Sequence, residues 1–316
     1  MKVIDLINSS KSTAFSFEIL PPLKGNSIQK VYNVIDKLIE FDPKYINITS
    51  HHSEYIYKTL PDGSFQKINI RKRPGSVAIA SAIQNKYGIT AVPHIICKGF
   101  TKDETEYALI DLNFLGVYDL LLLRGDVKTL EAGQKTDIYH EHATDLQQQV
   151  NDFNKGIAIQ GFDFEANETP FSYGMACYPE KHEEAPNMES DIFYLKEKVK
   201  NGADYLVTQM FFDNEKYYAF VDRCRAEGIT VPIIPGIKPI VFKNQLTVLP
   251  KIFRSDIPEP FATELRKCKT DDEAKAVGVE WCIQQCKDLI AHGVPSLHFY
   301  TMMASDSVYK VAKEVY

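Results

Sequence analysis

DLLLLRGD, residues 119–126, decides how this chain is read. Four consecutive leucines leave no polar face, so the strand they form must be covered on both sides, as in a parallel sheet flanked by helices. A cation, a glycine and an anion follow at once in Arg124, Gly125 and Asp126. Arg124 and Asp126 stand either to pair with one another or to face a ligand, and Gly125 between them lets a ligand approach the backbone. A cell-adhesion role for the RGD triplet does not fit a strand context of this kind.

Seven further runs of the same character flank this one: TAFSFEIL (13–20), YINITS (45–50), TAVPHIIC (90–97), FSYGMACYP (171–179), YLVTQMFF (205–212), VPIIPGI (231–237) and LHFYTMM (297–303). Between them lie segments of helical period. SIQKVYNVIDKLIEF puts Ile28, Val31, Val34, Ile35, Leu38 and Ile39 on one stripe, and DETEYALIDLNFLG follows the third run. Several segments end in glycine, at 88, 116, 202, 228 and 293, suited to a left-handed helix cap. SDSVYKVAKEVY supplies the last helix. Eight strands each followed by a helix predict an α/β fold of the (β/α)8 TIM-barrel class, in a single domain over 1–316. An open doubly wound sheet is the competing architecture, but no GxGxxG follows any strand. Two segments break the regularity: KGIAIQGFDFEANETP (155–170) reads as a small hairpin insertion before strand five, and IFRSDIPEPFATELRKCKTDDEAKAV as extra helix before strand eight.

In FSFEILPP (15–22) a carboxylate interrupts an apolar strand. Alternation sends Phe15, Phe17 and Ile19 to one face and Ala14, Ser16, Glu18 and Leu20 to the other. Pro21 and Pro22 end the strand, leaving Glu18 near its C-terminal end, where a barrel builds its active site. Other polar residues collect at the same end: Thr49, Ser50, His51 and His52 after strand two, His94 on strand three, Tyr178, Glu180 and His182 after strand five, Thr208 and Gln209 on strand six, His298 and Tyr300 on strand eight. Each has a plain structural alternative: His94 as a satisfied core histidine, Thr49 as a turn cap, His182 with Glu183 and Glu184 as a solvated loop. Gln209, in an apolar strand, needs hydrogen-bond partners if buried. Their shared end of the barrel carries the information.

A net charge of −6, with Lys and Arg scattered, argues against a nucleic-acid partner. No apolar run reaches the length of a membrane span and the N-terminus lacks a signal-peptide core, so the expected location is cytoplasmic. Six cysteines, without a CxxC pair, read as buried thiols; Cys282 and Cys286, four apart, lack the partners of a zinc site.

With these residues assembled, the chain resembles methylenetetrahydrofolate reductase in its short single-domain bacterial form. SFEILPP, PHIIC, LLRGD, YPEKHEEA, LKEKVKNGADYLVTQMFFD, IIPGIKPI and HFYT carry the resemblance in order. It implies a ping-pong reduction of 5,10-methylenetetrahydrofolate to 5-methyltetrahydrofolate, in one-carbon metabolism and methionine biosynthesis. Hydride would pass from NADH or NADPH through FAD N5. Glu18 takes the family's general-acid role, opening the imidazolidine ring to an iminium, and burial is expected to raise its pKa. FAD contacts are implied at Thr49, Ser50, His52, His94, Arg124, Gly125, Asp126, His142, Ala143, Tyr178, His182, Asp191 and Lys198. By the same resemblance Asp126 would also tune the flavin and hold the pterin, and Gln209 and Gln245 match positions that contact folate. A homo-oligomer is implied as well. The chain departs from the family after HFYT, where Met302, Met303 and Ala304 replace a run carrying an arginine that reaches the substrate, and at Ser50 and Tyr194. The alternatives are a pterin-binding methyltransferase, a flavin-dependent amino-acid dehydrogenase, or a catalytically lapsed barrel that binds folate or a protein.

Overall fold

A computed structural model describes residues 1–125, 138–302 and 304–316. Every expected strand is present. The strands are β1 (Ala14–Ile19), β2 (Tyr45–Ile48), β3 (Glu54–Thr59), β4 (Phe65–Ile70), β5 (Thr90–Ile96), β6 (Asp119–Leu123), β7 (Ser172–Cys177), β8 (Tyr205–Thr208), β9 (Ile233–Ile234), β10 (Gly236–Ile237) and β11 (Ser296–Tyr300). The helices are α1 (Val3–Ser9), α2 (Gln29–Leu38), α3 (Ser76–Tyr87), α4 (Lys102–Phe114), α5 (Ala143–Asn154), α6 (Met188–Lys200), α7 (Asn214–Ala226), α8 (Gln245–Phe253), α9 (Glu259–Lys267), α10 (Asp271–Ala291) and α11 (Ser305–Val315). Hydrogen bonds order nine strands as β10-β11-β1-β2-β5-β6-β7-β8-β9. The first strand pairs in parallel with the last, and the two ends of the order are halves of the expected seventh run, split at Pro235. This is the strand order of the α/β (β/α)8 barrel class. Among the described residues no helix is long and apolar enough to cross a membrane.

The chain divides into two compact units. The first comprises Met1–Ile19, Val34–Asn47 and Ser172–Tyr316. Alternation along β1 sends Phe15 and Phe17 away from Ser16 and Glu18, and both rings are fully buried. Phe15 lies 5.5 Å from Phe299 and 5.3 Å from Tyr316, so β1, β11 and the C-terminus share one aromatic layer. Each such ring contributes roughly 1.5–3 kcal/mol by burial. Phe41 packs edge-on against Phe15 at 5.8 Å. Ile39, expected on the buried stripe of α2, is instead exposed: the helix gives way at Leu38 to a 3-10 turn, Ile39–Phe41, which rotates it off the apolar face. The extra helix before strand eight is present as α9. Its Phe261 is stacked on Trp281 of α10 at 4.5 Å in a core shared with Met210, Phe212, Ile240, Leu249 and Leu265.

The second unit comprises Leu20–Asn33 and Ile48–Phe171. β5 and β6 pair in parallel, His94 opposite Leu121 through Ile96 opposite Leu123, with Leu120 to Leu122 buried as the leucine run required. α4 starts at a capping box in which Thr101 Oγ1 accepts from Glu104 N and Glu104 Oε2 from Thr101 N. β3 and β4 form an antiparallel hairpin that the sequence reading did not separate from the loops. Residues 155–170, expected to be a small hairpin, contain a short one: an antiparallel bridge, Ile157 to Asp163, flanked by Phe164 N donating to Gly156 O at 2.7 Å. Ala158 N donates to Phe162 O at 2.8 Å, and Ile159 N donates to Glu106 Oε2 of α4 at 2.9 Å. The first bond pairs the two arms of the hairpin, and the second ties its turn to α4.

Candidate active site

In the first unit the register of three strands builds the site. β1 pairs β11 with Phe17 opposite Phe299 and Glu18 opposite Tyr300, and β10 pairs β11 with Ile237 opposite Phe299. The residue after Ile237 is Lys238, so one row carries Lys238, Tyr300 and Glu18, and in-register side chains of parallel neighbours share a face. Glu18 is 7% exposed and Lys238 3%. Thr301 Oγ1 donates to the Glu18 carbonyl oxygen at 2.5 Å, fixing the backbone at the acid. The Tyr300 hydroxyl donates to Thr208 O at 2.6 Å, and Gly236 N donates to Thr208 Oγ1 at 2.9 Å. Burial, reinforced by the charge of Glu18, pushes the Tyr300 phenol well above its usual range.

One row back on the same face, His298 Nδ1 lies 3.0 Å from Ser16 Oγ, and its Nε2 lies 3.4 Å from Asn47 Nδ2. Because the Ser16 hydroxyl donates to Leu297 O, the ring donates from Nδ1 and accepts at Nε2. Tyr45 stacks parallel to the imidazole with centroids 6.3 Å apart. Burial pushes His298 down to about 3. It is neutral at physiological pH and cannot be the acid.

Of the remaining candidates of this unit, Tyr178, His182, Asp191 and Lys198 lie on α6 or in the segment just before it. Tyr178 and His182 meet edge to face at 4.7 Å, and His182 N donates to Asp191 Oδ2 at 2.8 Å. Lys198 Nζ donates to Ala176 O at 3.0 Å. Desolvation lowers the affinity of this amine for its proton, while Asp191 opposes the shift. Glu180 is engaged by Lys216 at 2.8 Å and by Asp256 N, which braces a loop. Gln209 Oε1 accepts from Met210 N at 2.9 Å, and Gln245 Oε1 from Val241 N and Phe242 N at 2.7 and 3.1 Å. Both amides are thus held by their carbonyl ends, which orients their NH₂ groups. Tyr194 is exposed on α6.

In the second unit the expected residues lie at strand ends and one helix start. Thr49 Oγ1 is 3.1 Å from His51 Nε2, and Ser50 follows it, half-buried. His52 lies against Gly99, where an added Cβ would come within 2.2 Å of the His52 Cβ. His94 is buried, its carbonyl accepting from Ser76 Oγ at 3.1 Å. Lys98 N donates to Arg124 O at 3.0 Å, continuing the β5–β6 ladder beyond both strands. Gly125 has φ +88°, and a Cβ there would stand 3.3 Å from Ile96 and 3.5 Å from Lys98. His142 caps α5 with its N–H donating to Asp145 Oδ2 at 2.8 Å, and Ala143 begins the helix. Asp126, in the expected set, lies outside the described residues, as does Met303. A cavity of about 580 Å³ in this unit, walled by Ile95, Ile96, Phe100, Tyr107 and Phe114, meets the set only at Ser50.

The sequence reading missed Lys98 and Lys238, both buried at strand ends. Each follows an apolar strand as Arg124 follows its leucines, and that shared pattern was the available signal.

The model of the methylenetetrahydrofolate reductase family matches residues 2–316. The chain is 31% identical over 319 residues to "Methylenetetrahydrofolate reductase (NADH) 1" of Arabidopsis thaliana, covering 97% of this chain and 49% of that protein. It is 30% identical to "Probable methylenetetrahydrofolate reductase (NADPH)" of Caenorhabditis elegans, over 99% of this chain and 43% of that one. With "5,10-methylenetetrahydrofolate reductase" of Pectobacterium carotovorum subsp. carotovorum it shares 29% identity, over 94% of this chain and 88% of the relative. It therefore spans about half the length of the plant and nematode relatives. A solved structure, "Uncharacterized protein from Clostridium thermocellum binds two copies of 5-methyl-5,6,7,8-tetrahydrofolic acid", superposes with a TM-score of 0.55 over 98% of both chains at 15% identity, a likeness of fold.

Proposed function

The chain belongs to the methylenetetrahydrofolate reductase family, and from that premise we propose that it reduces 5,10-methylenetetrahydrofolate to 5-methyltetrahydrofolate with FAD and a nicotinamide co-substrate. The observation that carries the reading is the buried carboxyl of Glu18 at the C-terminal end of β1. The donor set suits FAD. Lys98 and Arg124 supply cations for a pyrophosphate, Thr49 and Ser50 hydroxyls for a ribityl chain, and Gly125 a backbone that a ligand can approach. The first turn of α5, from Ala143, presents amide donors suited to an anion. His52, His94 and His142 of the second unit are assigned to FAD on the family resemblance, as is Asp126; Tyr178, His182, Asp191 and Lys198 of the first unit carry the same assignment by themselves. FAD bound there would accept hydride from NADH or NADPH and deliver it from N5 to the folate, in two half-reactions by turns.

Glu18 donates the proton that opens the imidazolidine ring, and its apolar strand excludes water from the donor. Its neighbours leave it that role: His298 is neutral, and the Tyr300 phenol is held far from ionising. Gln209 and Gln245 orient the folate through their NH₂ ends. The solved neighbour that binds 5-methyltetrahydrofolate supports a folate ligand for this barrel class. The same reading implies a homo-oligomer, and Tyr107, Ile110 and Phe114, exposed along α4, are surface that a second copy would cover.

The test is anaerobic double mixing of the purified protein. Its flavin band is expected to bleach with NADH or NADPH and to recover with methylenetetrahydrofolate. Bleaching without recovery removes folate from the reading, and absence of flavin removes the cofactor.

A further inference from the structure

Lys238 has no role in the function proposed above, yet it is one of the most deeply buried charged side chains described in the first unit. An ammonium withdrawn from water is costly unless a counter-charge faces it. The register supplies one in the ionised form of Glu18, the form left once its proton has gone. Lys238 follows Ile237, the last paired residue of β10, and carrying that register on by one residue sets it across Tyr300 from Glu18, on the same face of the sheet. Gly236, one row back, makes the arrangement possible: a Cβ there would lie 2.5 Å from the Tyr300 ring and 2.4 Å from Thr208 O.

We propose that Lys238 is the positioning residue of Glu18, its ammonium holding the carboxyl in the row and stabilising the carboxylate left when Glu18 gives its proton to the folate nitrogen. The inference rests on the reading of Glu18 as the acid. When the Glu18 O–H bond breaks, the proton goes to the nitrogen and the negative charge develops beside an ammonium already in place, with no solvent to reorganise. After the product leaves and the site opens, a proton from bulk solvent restores the carboxyl.

Electrostatics agree with the geometry. Burial pulls Lys238 toward its neutral form, and the Glu18 carboxylate pulls it back toward the ammonium, with the Cys282 thiol of α10 adding a smaller pull. Among the described residues, the other titratable groups identified around the row are phenols, a thiol and an imidazole. Tyr45, Cys177 and Tyr178 act on Tyr300, whose ring meets His298 edge to face at 5.3 Å. None of these phenols, nor the thiol, carries positive charge, and His298 is neutral by burial. Among the groups identified in the row, Lys238 is the cation beside the acid.

The test is an isotope-edited infrared titration of the Glu18 carboxyl band, assigned by its loss in E18Q, in flavin-loaded wild type, K238M and K238R. Removing the ammonium removes stabilisation of the carboxylate, so K238M is expected to move the band's midpoint up by about one pH unit or more, while K238R stays near wild type. The pH profile of the folate half-reaction is expected to shift in the same direction. A K238M midpoint coinciding with wild type would overturn the proposal. If K238M does not fold, the reciprocal measurement decides. In E18Q, the Lys238 Nζ followed by ¹⁵N NMR is expected to lose its proton at lower pH than in wild type, and an unchanged titration would overturn the pairing. Should E18Q retain the folate half-reaction, the acid reading fails, and the infrared and NMR shifts still report on the pair.

Discussion

The Tyr300 hydroxyl donates to the carbonyl oxygen of Thr208 at 2.6 Å, joining β11 to β8, two strands that are not neighbours in the sheet order. Between them runs the split strand β9–β10, and Gly236 is the point at which the ring passes over its backbone. Replacing Tyr300 by Phe leaves the Thr208 carbonyl without that donor and is expected to cost about 1–2 kcal/mol. Gly236→Ala drives a methyl into both the ring and the carbonyl. It is expected to destabilise by more, roughly 1–3 kcal/mol, and to slow folate reduction by displacing the row that holds Glu18. Urea denaturation of the two variants, compared with wild type, checks the order.

His298 gives the protein a pH dependence of predictable sign. Its folded value is about 3, against an unfolded value of about 6.5, so the unfolded chain binds a proton that the folded one refuses. Stability from this residue is complete above pH 6.5 and is lost progressively as pH falls toward 3, by as much as about 4–5 kcal/mol in all. Urea midpoints taken from pH 7 to pH 4 are expected to fall for wild type. In H298N, less stable at pH 7 through the lost Tyr45 stack, they are expected to fall less steeply.

Flavin retention tests the strand-end cluster of the second unit. Gly125 has φ +88°, where a Cβ is strained and would also press on Ile96. Gly125→Ala is expected to lower the flavin bound per chain severalfold, and Arg124→Met to do so through loss of a cation suited to pyrophosphate. Absorbance of the purified proteins reads both. Full flavin occupancy in both variants would remove these two residues from the proposed cofactor site.

The parts of this fold visible in the sequence are those whose side chains repeat with a period. DLLLLRGD announced a doubly covered strand because burial on both faces leaves no alternation to misread, and Leu120, Leu121 and Leu122 are buried accordingly. Glu18 stood out because a carboxylate among phenylalanines has few structural uses. The five glycines read as helix caps all take positive φ. The hairpin β3–β4 escaped because its residues are largely exposed and follow no apolar rhythm. What specifies it is its turn, where the Asp62 carboxylate accepts from Ser64 N at 2.9 Å beside Gly63. The hairpin within residues 155–170 was legible from local alternation, whereas the bond from Ile159 N to Glu106 that ties it to α4 was not. Ile39 kept the helical period in sequence after the helix itself had ended. Lys238 escaped for another reason: a single lysine after a short strand looks like any surface lysine until β11 and β1 are laid beside it.

Glu18→Gln separates the two half-reactions. The substitution keeps the shape of the side chain and removes the proton that the proposed acid would donate. Mixed anaerobically with NADH or NADPH, the variant is expected to bleach its flavin at close to the wild-type rate. Its reoxidation by methylenetetrahydrofolate is expected to slow by about 10²–10⁴-fold, the range associated with a general acid. Reoxidation at the wild-type rate would contradict the account, because the folate would then be opening its ring without Glu18.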